Sequence, residues 1–181
     1  TEVEAYHEAE PAAHSYGGRP TPSTQGLFGP AGSAYVYVSY GIHLCANVVT
    51  GAEGSGEAVL LRAAMPVDGE SLVRARRTAA RAVDPSSLRA KELLTGPGRL
   101  AQGLDIRLDD TGIDLLRDDG AGAGDDGPVI VRDEASAEQV GISLPLDPED
   151  LLIGPRIGIT KAVELPWRFG IRGVHVSKPF R

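Results

Sequence analysis

The sequence predicts an α/β fold of the α+β type, a single compact domain whose curved, mainly antiparallel sheet is flanked by helices. Three observations lead there. Segments with the two-residue alternation of strands lie on both sides of a group of helical stretches, and two of them are joined by a tight turn at Tyr40-Gly41. The chain has 181 residues, 41% of them hydrophobic, which is enough to fill one core. No internal repeat or linker divides it, so the expected domain is 1–181.

The elements follow in order. Residues 2–6 alternate, with Val3 and Ala5 on one face and Glu2, Glu4 and Tyr6 on the other, the pattern of a half-buried strand. Residues 7–30 are rich in Gly, Pro, Ser and Thr ("GGRPTPSTQG") and read as a long loop, of a length that usually does something. Residues 34–39 and 42–49 form a hairpin in which Gly41 supplies the positive φ of the turn and Tyr40 is thrown to the tip. A polar link, 50–57, leads into the strand "AVLLRAAMP", with Leu60 and Arg62 on one face, and these three strands suit a curved antiparallel sheet. Residues 69–83 read as a helix with the apolar stripe Leu72, Ala75, Ala79 and Val83 and with Arg74, Arg77 and Arg81 on another face. Residues 86–94 form a second, shorter helix, and "TGPGRL" opens a third. Residues 118–128, "DDGAGAGDDGP", are low in complexity and read as a flexible acidic surface excursion. "PVIVRDE" then reads as a strand, "DPEDLL" as a helical turn, and "RIGIT" and "RFGIRGVHVS" as the closing strands.

A formal charge of −7 argues at face value against a nucleic-acid partner, but its distribution reverses the inference. Residues 105–150 hold 14 Asp and Glu against 3 Arg, a local net of −11 that leaves +4 elsewhere. The tail, 155–181, carries Arg156, Lys161, Arg168, Arg172, Lys178 and Arg181 against Glu164 alone. Such a chain can turn a basic face to DNA and an acidic one to solvent; charges scattered over a solvated surface are the alternative.

Several chemistries are excluded or unsupported. The glycine patterns of P-loop and Rossmann nucleotide sites are absent, so no cofactor is expected. His7 and His14, separated by "EAEPAA", do not match a metal spacing, and no metal is expected. The lone Cys45, in an apolar strand with no evident base beside it, reads as a small buried hydrophobe that can form no internal disulfide. No G-x-S-x-G nucleophile elbow is present. No apolar run approaches the roughly 20 residues of a membrane span; no signal segment opens the chain, and a soluble intracellular protein without a membrane partner is expected.

What remains is the Glu4 carboxylate near Tyr6 and His14, the exposed Tyr40, and the polar residues Asn47, Arg62 and Arg19. Aromatic faces that sandwich a flat ring, with hydrogen-bonding groups at its edge, make a nucleobase pocket. Singly, each residue has a plainer reading: Tyr6 and Tyr37 as core aromatics, His14 as a loop residue, Asn47 as a polar group at a sheet edge.

The blocks "EVEAY", "AAHSYGGRPTP", "GLFGPAGSAYVYVSYGIHLCANVV", "AVLLRAAMP", "LLTGPGRLAQGL", "GPRIGI" and "PWRFGIRG" resemble, in this order, the alkyladenine (3-methyladenine) DNA glycosylase family. The resemblance covers nearly the whole chain except the acidic excursion and the helix before it. It implies that family's fold and a monofunctional glycosylase that flips damaged purines (3-methyladenine, 7-methylguanine, hypoxanthine, ethenoadenine) out of duplex DNA and hydrolyses the N-glycosidic bond. By resemblance Glu4 deprotonates the attacking water, while Tyr6 and His14 line the pocket and Tyr37 stacks on the opposite face of the base. Asn47 matches a residue that clashes with the 2-amino group of guanine, and Arg62 a pocket-side arginine near the backbone of the flipped nucleotide. Tyr40 matches the hairpin tyrosine that fills the space the flipped nucleotide vacates. Arg19, Arg99 and Lys178 are candidate contacts to the DNA backbone. Family members have strands and a helix before the glutamate, so upstream N-terminal elements are expected to be missing from this domain. The expected partner is double-stranded DNA with a damaged purine, the expected state a monomer, and the expected location cytoplasmic at a bacterial nucleoid, or nuclear in a eukaryote. A non-catalytic damaged-DNA-binding protein on the same fold is the main alternative, and a hydrolase of free nucleosides a more distant one.

Overall fold

The computed structural model describes residues 1–79, 84–116 and 146–180. Six strands, β1 (Glu2–Tyr6), β2 (Ala34–Ser39), β3 (His43–Thr50), β4 (Glu57–Ala63), β5 (Leu151–Gly154) and β6 (Arg168–Ile171), make one sheet in the order β2-β3-β4-β1-β6-β5. Every neighbouring pair is antiparallel. Among the described residues two α-helices, α1 (Glu70–Thr78) and α2 (Pro97–Gly103), accompany it. Among the described residues no helix is long and apolar enough to cross a membrane.

Register decides which side chains share a face, because paired residues in an antiparallel sheet point the same way. Tyr35 pairs with Asn47, Tyr37 with Cys45, Asn47 with Leu60, Leu60 with Glu4, and Glu4 with Arg168. One face of the sheet therefore carries nearly every polar and aromatic residue of interest. The opposite face is apolar: Val36 and Ala46 pack there with Leu100 and Ala101 of α2 and with Ile106. The long loop 7–30 roofs the polar face through Leu27, in a one-turn 3-10 helix (Gln25–Phe28), which packs on Tyr35, Val49 and Ala58.

Strand β1 keeps its predicted alternation, with the acidic side turned inward. Glu2 and Glu4 are buried, at 1% and 0% exposure, whereas Val3 and Ala5 are only half-buried. Beside them the register with β4 jumps from Ala63 to Leu61, which leaves Arg62 as the extra residue of an irregularity of the bulge kind. Bulges re-aim side chains next to sites, and this one sits where Arg62 meets both glutamates.

Other expectations are corrected. The buried face of α1 is Val73, Arg77 and Thr78, while Leu72, Ala75 and Ala79 of the expected stripe are exposed. The helix turns that face because Val73 packs with Leu93 and Leu94 and Arg77 Nη1 donates to Gln102 Oε1. In place of the second helix stand two 3-10 turns, Pro85–Ser87 and Ala90–Glu92. "RIGIT" is not a strand: the strand is Leu151–Gly154, just before it. "RFGI" is β6 as expected, but "GVHVS" is irregular. The excursion 118–128, "PVIVRDE", Arg81, Val83 and Arg181 lie outside the described residues.

Candidate active site

The hairpin tip is built as its sequence demands. Tyr40 and Gly41 both take positive φ, 51° and 72°, and the Ile42 amide closes the turn on Ser39. A bulky residue in the left-handed region is uncommon and marks a place where conformation serves a purpose. Tyr40 is 83% exposed, with its hydroxyl donating to Gly158 O at 3.4 Å.

Below the tip opens a cavity of about 650 Å³ on the polar face of the sheet. Tyr6, His14, Tyr37, Asn47 and Arg62 all line it, as does Tyr40 at its mouth. Glu4 lies directly beneath, and its partners form part of the cavity wall. Its Oε1 accepts from the Ile157 amide at 2.7 Å, and its Oε2 from the Tyr6 hydroxyl at 3.0 Å and Arg62 Nη1 at 3.2 Å. These fill three of the roughly four acceptor positions of a carboxylate. Among the described residues the fourth has no partner.

Arg62 reaches both glutamates, with Nε donating to Glu2 Oε1 at 3.0 Å and Nη2 to Ser177 Oγ at 3.3 Å. Arg168 Nε joins at the same Glu2 oxygen, 2.7 Å away. Two carboxylates and two guanidinium groups thus balance in charge within the interior, each hydrogen-bonded to the others or to Ser177, the condition under which buried charges are tolerated. Burial opposes the ionised form of Glu2, but the Ser177 and Arg168 hydrogen bonds prevail and hold its pKa below the usual carboxylate value. Arg62 is spent on these partners, facing the carboxylates.

The aromatic wall is uncharged at neutral pH. Burial, and then the Glu4 charge, push the Tyr6 hydroxyl well above its ordinary value, so it remains a donor to Glu4. Burial raises Tyr35 to about 12 and Tyr37 further, the latter sharing a hydrogen bond with the Cys45 thiol. Cys45 is buried and its own pKa is raised by desolvation, which suits the predicted small hydrophobe and no nucleophile. His14 keeps an exposed edge, yet desolvation lowers its pKa below 6.5. A proton NMR titration should find the His14 imidazole changing charge below that value, leaving it neutral at pH 7; a value at or above 6.5 would contradict the neutral wall.

His14 meets Tyr37 edge-on, ring centres 4.4 Å apart, and its Nδ1 lies 3.3 Å from the Tyr35 hydroxyl. A base stacked between two rings needs about 7 Å, so seating one between His14 and Tyr37 requires the imidazole to swing aside. Asn47 is buried, with Nδ2 donating to Tyr35 O at 3.0 Å. Of the candidate backbone contacts, Arg99 is exposed beside Pro97 and Gly98 of the cavity rim, while Arg19 and Lys178 are exposed elsewhere. The basic tail is smaller than its charge suggests, since Arg156 and Arg168 are buried in ion pairs with Glu10 and Glu2. Lys161 also lines the cavity.

The methylpurine-DNA glycosylase family model matches residues 1–175, which include Glu4, its hydrogen-bond partners and the cavity lining. The chain belongs to the methylpurine-DNA glycosylase family. It is 45% identical over 181 residues to the "Putative 3-methyladenine DNA glycosylase" of Rhodopseudomonas palustris (strain HaA2), covering 99% of this chain and 76% of that protein. A protein of the same name from Methanoculleus marisnigri is 47% identical over 172 residues, 95% of this chain and 77% of its own. One from Burkholderia lata is 41% identical over 180 residues, 98% and 75%. The chain is accordingly a DNA glycosylase, a hydrolase of N-glycosyl bonds acting in DNA base excision repair.

Sequence reasoning gave no role to several residues that organise this glycosylase's site: Glu2, Ile157, Arg168 and Ser177 around the carboxylate, and Glu10 with Arg156 behind Tyr6. The alternation that put Glu2 and Glu4 on one face was the available signal for Glu2. For the rest, partners 146 to 175 residues away in the chain left no local trace.

Proposed function

We propose that this glycosylase releases alkylated and deaminated purines, 3-methyladenine, 7-methylguanine, hypoxanthine and ethenoadenine, from duplex DNA, acting as a monomer without cofactor and leaving an abasic site. The observation that carries the reading is the Glu4 carboxylate, with one acceptor position to spare, beneath an aromatic cavity. In the reaction the bond between C1′ and the purine nitrogen breaks as the sugar gains oxocarbenium character, which the Glu4 anion stabilises. A water held at Glu4 attacks C1′ and gives its proton to the carboxylate. Arg62, the Ile157 amide and the Tyr6 hydroxyl hold that carboxylate in place. Tyr6 and Tyr37 supply π faces to the base; one alkylated at N3 or N7 is cationic, is favoured by them, and leaves without an acid. Asn47 rejects the guanine 2-amino group by exclusion.

Tyr40 occupies the stack from which the nucleotide is rotated. Stacking on an aromatic side chain is worth roughly 1–3 kcal/mol per base, against a flipping cost of a few kcal/mol. Tyr40→Ser is therefore expected to slow release from a duplex about tenfold or more while leaving release from single-stranded DNA nearly unchanged. An equal loss on both substrates would rule out the wedge.

The test of the whole reading is single-turnover release from duplexes carrying one lesion each. Free base and an alkali-labile site on an intact strand are expected. Tight binding with no release of any of these bases would make this chain a lesion-binding protein instead. Because Lys161 lines the cavity, a covalent adduct trapped by borohydride on the abasic product would overturn the monofunctional assignment.

A further inference from the structure

Behind Tyr6 stands a buried charged pair. The Arg156 side chain has no exposure, and its two terminal nitrogens donate to the two Glu10 oxygens at 2.6 and 3.0 Å. Its Nη1 also donates to Ala5 O, which ties the pair to β1. The guanidinium carbon lies 4.5 Å from the centre of the Tyr6 ring and 5.3 Å from that of Trp167. Tyr6 lines the cavity and Arg156 does not, so the tyrosine ring separates the guanidinium from whatever stacks in the cavity.

A ring face attracts a cation, but cations on the two faces of one ring repel each other through it. A neutral base is indifferent to a charge behind the tyrosine. A cationic alkylpurine is not: stacked on Tyr6 it would lie only about 8 Å from the guanidinium. Glu10 supplies the compensating anion immediately beside Arg156.

We propose that Glu10 and Arg156 are positioning residues that set substrate choice: by neutralising Arg156 behind Tyr6, Glu10 keeps the aromatic wall open to cationic alkylpurines as well as to neutral damaged bases. The inference rests on the base-pocket reading given under Proposed function. In an interior of effective dielectric about 20, one uncompensated charge at this range is worth about thirtyfold in selectivity.

The experiment is the ratio of single-turnover release of 7-methylguanine to that of hypoxanthine from matched duplexes. Glu10→Gln, which leaves the cation unopposed, should lower the ratio about thirtyfold. Arg156→Met, which leaves the anion, should raise it. The double variant, free of both charges, should return it near that of the unaltered protein, and it carries no unpaired buried charge that would prevent folding. A purely structural role for the pair would slow both substrates together. If the ratio is unmoved in an active enzyme, or moves the same way in both single variants, the inference falls and the base-pocket reading survives; if one single variant does not fold, the direction given by the other decides. If the unaltered protein releases neither base, the base-pocket reading fails and this inference with it.

Discussion

Glu4→Gln is expected to slow base release by about 10²–10⁴ while leaving binding to a lesion duplex nearly unchanged. The amide has the same shape, and its oxygen can still accept from the Ile157 amide. It can neither take a proton from water nor offset a developing positive charge on the sugar. The change also leaves one net positive charge in the group formed by Glu2, Glu4, Arg62 and Arg168, whose charges otherwise balance. Binding depends mainly on the surface, so it isolates the chemical step. Release within about tenfold of the unaltered rate would remove Glu4 from the role of base.

Arg62→Met is expected to damage stability as much as activity. Both carboxylates it touches have no exposed side-chain surface. Removing one partner from a buried ion pair costs about 3–5 kcal/mol, a large share of a typical 5–15 kcal/mol total, and should lower Tm by roughly 6–20 °C for a chain of this size. Differential scanning calorimetry measures it, and a fall under about 2 °C would mean that the pair adds little. The acid side gives a second reading. The folded-state pKa of Glu2 is below its ordinary 4.5, so its contribution is complete above that value and is lost as pH falls through the lowered one. Because Ser177 and Arg168 hold that pKa down, Arg168→Met should let it move back up, and acid unfolding of that variant should begin at higher pH. Lysine should not rescue the Arg62 variant, because a single ammonium cannot reproduce the fork that spans Glu2, Glu4 and Ser177.

What could be read from the sequence was the local part. The Tyr40-Gly41 turn, the alternation of β1 and β4, and the start of α2 at Pro97 follow from neighbours a few residues apart. The inward direction of Glu2 and Glu4 does not: alternation separates two faces, and the usual preference sends the charged one to solvent. That preference loses here because Arg62 and Arg168 arrive from β4 and β6 with compensating charge. "RIGIT" alternates like a strand, but its Ile157 amide is taken by Glu4, and the ladder forms one segment earlier. The stripe of α1 failed for a related reason, since Arg77 finds an acceptor in the half-buried Gln102 that a periodicity of apolar residues cannot reveal. Of the site, the residues facing the cavity were legible through the family resemblance. Those that hold them in place became visible only once the strands were side by side.

The position of β1 in the sheet has a last consequence. Bonded on one side to β4 and on the other to β6, it is expected to exchange its amides with solvent only on wide opening, whereas the tip between β2 and β3 is expected to open locally. In the roles proposed above, the hydrolytic carboxylate sits on a strand paired on both sides and the wedge on a turn at the end of a hairpin. Changes at residues 40–42 can alter how the protein grips a duplex, and mutation can explore them, without disturbing the carboxylate two strands away.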